Sequence, residues 1–313
     1  MNIENDIKVS VCVVTYNQEN YIAECLESLV NQVTNFRYEI IVGEDCSTDG
    51  TRAIVQRYVE KYPNLIVPLF YKNNIGAVEN IKKVYKKAKG KYIAHMDGDD
   101  MALPDKLQKQ FDILERNPDC SICVHNMNAV DKNSIKMERA FQLFSEKKYS
   151  LLDMYLINPF FIHSSKMFVN KIDDYIDRLS ENALDIEVHI EQAKQGYIYF
   201  IEDCLGVYRQ FVGVTYDGEL INLLITERIQ DVYLKFPENK FSVKDVNRVK
   251  IKYSYILLQY ANNYMLNDRY HEAKIFILKS IKIKINLISL LFLLVFISPK
   301  LLKFILKLRR KYN

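Results

Sequence analysis

The sequence lacks a marked excess of either charge. Its 43 Lys+Arg against 39 Asp+Glu leave a net +4, too little to nominate a nucleic-acid partner. Nor is it poor in apolar residues: 49% are hydrophobic and 26% charged, which excludes a disordered or collagen-like chain. The apolar run Ile285–Ile297 is shorter than the ~20 residues a spanning helix needs. The opening MNIENDIKVS has no apolar core of a secretory signal. A second cysteine pair is missing too. Of Cys12, Cys25, Cys46, Cys120, Cys123 and Cys204, only Cys120 and Cys123 form a C-x-x-C, and no second pair follows at zinc-finger spacing. Buried thiols in a reducing, cytosolic compartment are the expectation. His95, His125, His163, His189 and His271 show no paired metal spacing and are read as structural or surface residues, and no serine has a convincing His/Asp partner pattern.

Alternation is what the chain does have. Val9–Thr15 (VSVCVVT), Tyr38–Gly43, Leu65–Tyr71 and Lys91–Met96 are short runs rich in β-branched and apolar residues, and read as buried strands. Helical stretches follow each of them: Tyr21–Asn31, with Ile22, Leu26, Leu29 and Val30 on one stripe; a helix after Ser47-Thr48-Asp49-Gly50 running to Tyr62; Ala77–Ala88; and Lys106–Arg116. This order predicts an α/β fold with a mainly parallel sheet. Such sheets bind ligands beyond the carboxyl ends of their strands. Thr15-Tyr16-Asn17, Glu44-Asp45, Asn74 and Asp97-Gly98-Asp99-Asp100 all fall there, so they converge on one crevice. Further on, Cys120–His125 and Tyr197–Ile201 read as strands, Leu184–Gln195 as a helix, and Gly206–Arg209 as the close of the segment. From Leu220 the chain turns helical, with Val249–Leu266 and Tyr270–Lys282 forming a hairpin around Asn267-Asp268-Arg269. Residues 126–180 carry no clear pattern.

Three carboxylates within Asp97-Gly98-Asp99-Asp100 repel one another unless a cation joins them, and magnesium takes one or two carboxylates together with substrate phosphates. The alternative is a polar turn capping the next helix. Gly98 permits a close approach or an unusual backbone angle. Tyr16 offers an aromatic face for a planar base, against a plain place in the core or at its rim. Asp45 offers an acceptor for an imide N–H, against a plain turn residue. Together they outline a pyrimidine nucleotide pocket.

The runs VSVCVVTYNQENYIAECLESL, EIIVGEDCSTDGT and KNNIGAVENIKKVYKKAKGKYIAHMDGDD resemble the N-terminal half of family 2 glycosyltransferases, over about residues 8–125 with a weaker continuation through 126–215. The resemblance implies a GT-A fold and an inverting transfer from a nucleotide-activated sugar. It implies that Thr15 and Tyr16 bound the base, Asp45 meets its N–H and Asn74 holds the nucleoside. Asp97 would contact the ribose or the metal, and Asp99 would ligate Mg2+ or Mn2+ bridging the diphosphate. It also implies an acidic general base opening a helix ahead of a Tyr-Arg pair. Leu184-Asp185-Ile186-Glu187 and Tyr208-Arg209 occupy those places. Asp185 is the first choice and Glu187 the second; two positions apart on a helix, only one of them can face the site. Two departures from the family pattern are Phe211, where many members carry histidine, and Glu44, where aspartate is more frequent.

Three segments are expected: a glycosyltransferase domain over 1–219, a helical extension over 220–283 and a basic apolar tail over 284–313. The tail sequence KLLKFILKLRRKY suits an amphipathic helix on an anionic membrane surface, with a helix packed on protein, or a true span, as alternatives. The expected partners are a nucleotide-sugar donor (UDP before dTDP) and a glycan or lipid-linked oligosaccharide acceptor, at the cytoplasmic face of the membrane and with no nucleic acid. His163-Ser164-Ser165 is a candidate lining of the acceptor site, and Lys82–Lys91 a solvated basic face. Competing readings are a nucleotidyltransferase, against which the missing Gly-rich basic loop after the first strand counts, and a catalytically inactive nucleotide-binding or scaffold subunit.

Overall fold

The computed structural model describes residues 6–137, 144–157, 161–210, 216–217, 220–221, 223–293, 298, 300–301 and 303–305. The chain divides into two compact units, residues 1–212 and 213–313.

In the first unit, β1 (Val9–Thr15), β2 (Tyr38–Glu44), β3 (Ile66–Phe70) and β4 (Tyr92–Asp97) pair in parallel in the order β3-β2-β1-β4. Their connections carry α1 (Ile22–Val30), α2 (Thr51–Lys61) and α3 (Ala77–Lys87). Val9, Val11, Cys12 and Val13 of β1 are fully buried, as a central strand covered on both faces requires. The helix α1 closes one side with Ile22, Cys25, Leu26 and Leu29, so Cys25 takes the stripe position expected of Val30.

The sheet then widens through β5 (Met101–Ala102), β6 (Cys120–Val130), β7 (Lys147–Tyr149), β8 (Met167–Val169) and β9 (Tyr197–Arg209), giving β3-β2-β1-β4-β8-β6-β9-β5 with β7 on β9. Here β8 runs antiparallel to both β4 and β6, while β9 is parallel to β6. The helices are α4 (Lys106–Arg116), α5 (Leu151–Ile157) and α6 (Asp185–Ala193). Both β6 and β9 outrun the expected ends at His125 and Ile201. Irregular register at Cys120/Ile122 and around Asn126 bends the pair without ending it. Gly206–Arg209 is therefore the end of a strand, and it closes the segment there, close to the end of the first unit.

The second unit opens with a two-stranded hairpin, β10 (Tyr216–Asp217) and β11 (Leu220–Ile221), ahead of α7 (Leu223–Leu234). Ser242 caps α8 (Val243–Leu266) by accepting the Asp245 N–H at 3.1 Å. The expected hairpin of α8 and α9 (Tyr270–Ile283) is present, turning at Asp268 with φ 61°. It is held by a Ser254–Ser280 hydroxyl pair at 2.8 Å and by Tyr264 stacked on Phe276. A short α10 (Leu287–Phe292) follows. Among the described residues no helix is long and apolar enough to cross a membrane. Phe211 and tail residues 294–297, 299, 302 and 306–313 lie outside the described residues.

Candidate active site

Parallel pairing aligns the strand ends. Thr15 stands opposite Glu44, Val14 opposite Asp97, and Glu44 opposite Phe70, so the polar residues that follow β1, β2 and β4 share one edge. Direct bonds tie these ends: the Asp45 N–H donates to the Thr15 carbonyl at 3.0 Å, and the Gly98 N–H to Val14 at 2.9 Å. The loops after β1 and β2 are also laced together. Asn17 adopts φ 52° and its side-chain oxygen accepts the Thr48 N–H at 2.8 Å, while the Gln18 N–H donates to Thr51 Oγ1 at 2.7 Å. Tyr16 rises from this platform with 44% of its surface exposed. Thr15 is buried and its hydroxyl donates to Gln18 Oε1 at 2.8 Å.

Asp45 is buried, and its two carboxylate oxygens accept the N–H groups of Ile75 (2.7 Å) and Gly76 (2.9 Å). Gly76 has φ 84°, a conformation that side chains resist, so glycine is needed for the loop to turn its amides onto the carboxylate. The exposed Asn74 donates to the Asp45 carbonyl at 3.2 Å. Asp45 thus organises the loop that carries Asn74.

The acidic loop lies over Thr15. A Cβ on Gly98 would sit 2.5 Å from Gln18 Oε1 and 2.9 Å from Thr15 Cβ, so this glycine serves close approach. Burial would raise the Asp97 carboxyl. It is outweighed by the adjoining His95, by the hydrogen bond from Ser164 and by the Lys166 charge, which leave it below the usual carboxylate range. Asp97 Oδ1 is 3.1 Å from His95 Nε2, and Ser164 Oγ donates to Oδ2 at 3.1 Å. Burial, then the Asp97 charge, push Asp99 up to about 7, and burial followed by the Asp97 and Asp99 charges holds Asp100 well above the usual carboxylate range. Asp100 caps no helix. One oxygen accepts the Arg209 N–H at 2.9 Å, and the other is buried with no hydrogen-bond partner. An orphaned buried acceptor beside two more carboxylates is an all-oxygen donor set that suits a hard divalent ion. Among the described residues no three His, Cys, Asp or Glu side chains gather closely enough to hold one unaided.

From the far half of the unit, α6 delivers Asp185. Its Oδ1 lies 3.2 Å from His163 Nδ1, and its side chain keeps 64% of its surface exposed. The His163 ring meets the His95 ring edge to face at 3.8 Å, and His95 holds Asp97. Two imidazoles thus separate the two carboxylates. Although much of its surface is open, Asp185 is hemmed in by protein, and that partial desolvation, then the Asp97 charge, raise it to about 6 against the pull of Lys166. Glu187 turns the other way and accepts the Leu184 N–H at 2.9 Å, capping its own helix.

With this geometry in view, the comparisons with known proteins decide the family. The model described as "Glycosyl transferase family 2" matches residues 10–176. The chain belongs to that family. An uncharacterised protein of Mycobacterium tuberculosis is 32% identical over 205 residues, which are 64% of this chain and 58% of that protein. The poly(ribitol-phosphate) beta-glucosyltransferase of Bacillus spizizenii is 26% identical over 242 residues, 76% of this chain and 36% of the enzyme. The chain thus spans about half the length, or less, of these relatives. The crystal structure of S. aureus TarS 1-349 in complex with UDP-GlcNAc superposes with a TM-score of 0.67 at 17% identity, covering 98% of this chain and 93% of that one, which shows a shared GT-A fold.

Several residues of this family 2 site were invisible to sequence reasoning. Arg209 is fully buried. It donates to the Asp99 carbonyl (3.1 Å), the Asp131 carbonyl (3.2 Å), Ser134 Oγ (2.9 Å) and Glu24 Oε2 (2.8 Å), and it stacks on Tyr21. Its landmark Tyr-Arg pair was legible, but its task of clamping the acidic loop to α1 was not. His163, Ser164 and Ser165 are buried; Ser164 holds Asp97, and His163 lies beside Asp185. Lys166, also fully buried, is pushed down to about 7 by desolvation against the pull of Asp185 and Asp97. The expected solvated lysine face is partly docked: Lys82 donates to the Leu179 carbonyl at 2.8 Å, and Lys86 pairs with Asp177. The C-x-x-C thiols are free and buried, so their pKa values are raised by burial.

Proposed function

We propose that this family 2 protein is an inverting glycosyltransferase. It moves one sugar from a nucleoside diphosphate sugar, UDP in the first place, to a hydroxyl of a glycan or lipid-linked acceptor in surface polysaccharide synthesis. One observation carries the reading: the nucleotide-side carboxylate Asp97 and the candidate base Asp185 come from opposite halves of the unit and meet through His95 and His163. The UDP-GlcNAc bound to TarS and the glucosyltransferase name of the Bacillus relative support the donor class.

In this reading Tyr16 stacks on the base and Thr15 lines its slot. Asp45, through its remaining lone pairs, accepts the base N–H while it fixes the loop of Asn74 against the nucleoside. Asp97 and Asp99 hold Mg2+ or Mn2+. Bound there, the ion supplies Lewis acidity toward the leaving diphosphate. Asp185 takes the proton of the acceptor hydroxyl as that oxygen attacks from the face opposite the diphosphate. A carboxyl near 6 is largely ionised at neutral pH yet basic enough to accept a proton in the transition state.

The second unit supports an anionic membrane surface as partner. Ile275 and Leu278 on α9, Leu287, Leu290 and Leu291 on α10, and Leu301 and Phe304 are exposed among the exposed Lys279, Lys282, Lys284 and Lys300. Apolar side chains interleaved with lysine bind such surfaces by burial and charge together, at the cytoplasmic face in this reading.

A panel of nucleotide sugars read by thermal shift, with and without Mn2+, tests the donor site. At least one UDP-sugar raises the melting temperature, and more so with Mn2+; a flat response to the whole panel overturns the reading. Cosedimentation with phosphatidylglycerol vesicles tests the second unit. Binding that fails with phosphatidylcholine and weakens in salt is expected, whereas equal absence from both vesicles removes the membrane.

A further inference from the structure

Beneath the acidic loop, two buried rings run in line from α3 to the end of β4. His95, inside β4, is fully buried. Its Nδ1 is 2.9 Å from the hydroxyl of Tyr85, itself fully buried on α3, and its Nε2 is 3.1 Å from Asp97 Oδ1. The other oxygen of Asp97 accepts from Ser164 Oγ at 3.1 Å, and Ser164 Oγ in turn accepts the Asp97 N–H at 2.9 Å. The Asp97 side chain nevertheless keeps 35% of its surface exposed. It is pinned from within and reachable from without.

These contacts fix the direction of the bond to Asp97. A carboxylate only accepts, so Nε2 must carry a hydrogen. A bare Nε2 would set its lone pair against the carboxylate oxygen. At Nδ1 the Tyr85 hydroxyl can donate to a bare nitrogen or accept from a protonated one, so the Nε2 donor does not depend on the charge of the ring. Without Tyr85, Nδ1 would be buried and unpaired. The ring is also wedged: His163 meets it edge to face at 3.8 Å, Tyr85 stands at 86° to it, and Phe168 backs Tyr85 at 5.2 Å.

We infer that His95, backed by Tyr85, is a positioning residue: it donates from Nε2 to Asp97 and, with Ser164, sets the orientation of that carboxylate for the donor. The inference rests on the reading of Asp97 as a nucleotide-side carboxylate. A carboxylate bonded at both oxygens occupies one rotamer, so its remaining lone pairs are presented without the entropy cost of ordering it on binding. The support also reaches the nucleoside side. Because α3 starts directly after Gly76, whose N–H the Asp45 carboxylate accepts, one helix follows the Asn74 loop and carries Tyr85.

The first arm of the test needs no ligand. 15N–1H correlation of the full-length protein resolves its five histidine rings. His95 is identified by the loss of its signals in His95→Gln or by their displacement in Tyr85→Phe. A hydrogen on Nε2 is expected; a bare Nε2 overturns the inference. The second arm measures the Kd of UDP in saturating Mn2+ on folded protein. His95→Phe keeps a ring and loses the donor, and is expected to weaken UDP by about 10-fold. His95→Gln places an amide N–H near the Nε2 position and should recover most of that loss. Equal affinity in these two variants, or in His95→Phe and the native chain, overturns the inference. Tyr85→Phe keeps the Nε2 donor but strands Nδ1, and is expected to cost about threefold. An unchanged Kd there also overturns the inference, and this measurement stands if the His95 variants do not fold. A native chain that binds no UDP with Mn2+ sinks the transferase reading instead, and the ring hydrogen then decides the bond to Asp97 by itself.

Discussion

The two halves of the first unit assemble their share of the site by different means. Thr15, Tyr16, Asp45 and Asp97 each follow, or end, one of a set of consecutive parallel strands, and strand register alone brings them side by side. Asp185, His163 and Arg209 come from a helix start, a short turn and a strand end, and each reaches its place, His163 beside Asp185 and Arg209 on the acidic loop, only because β8, α6 and β9 pack where they do. The first half can lose a side chain and keep its frame, since backbone pairing builds it. In the second half the side chains are the frame, so a substitution there tests position and chemistry at once.

The sharpest way to probe that contrast is Asp185→Asn. Turnover should fall by ~100-fold or more while the donor-induced thermal shift persists, because the amide keeps the shape and loses the basicity. Near-normal turnover would remove the base assignment. Next comes Arg209→Met. Removing a buried guanidinium that links α1, the acidic loop and the 131–134 turn should cost roughly 2–4 kcal/mol, read as a lowered denaturant midpoint. A loss below about 0.5 kcal/mol would mean that Arg209 is no clamp.

The pH profile gives a graded test. Asp185 must be ionised to accept a proton, so kcat/KM should fall as pH drops through about 6, approaching tenfold per pH unit below it. An activity flat from pH 7 to 4.5 would place the base elsewhere. In the strand-end half, Gly98→Ala pushes a methyl into Gln18 and Thr15, and should destabilise by about 1–3 kcal/mol and weaken donor binding. The smallest effect is expected of Glu187→Ala, about 0.5–1 kcal/mol of stability from the lost cap with kcat unchanged. A collapse of kcat in that variant would make Glu187 the base.

Legibility followed the same divide. The strands around Val9–Thr15 and Tyr92–Asp97, and the helices between them, were readable because burial on both faces forces apolar runs, and because strand ends must be polar where a crevice opens. The length of β9 was missed because Glu202, Asp203 and Cys204 interrupt its apolar pattern; pairing with β6 carries the strand past them to Arg209. Glu187 looked as acidic as Asp185, and only its bond to the Leu184 N–H shows it to be a cap. Lys166 gave no signal at all, since a lysine in sequence reads as surface until the fold buries it.

By itself the sequence determined the parallel core, the edge where ligands gather, and the family, because periodicity and strand-end chemistry are local properties written in neighbouring residues. The tertiary structure alone decided that His95 and His163 join Asp97 to Asp185, and that Arg209 ties down the acidic loop. Those contacts link residues far apart in the chain. Their energies depend on desolvation and on partners that no stretch of sequence specifies before the sheet has closed around them.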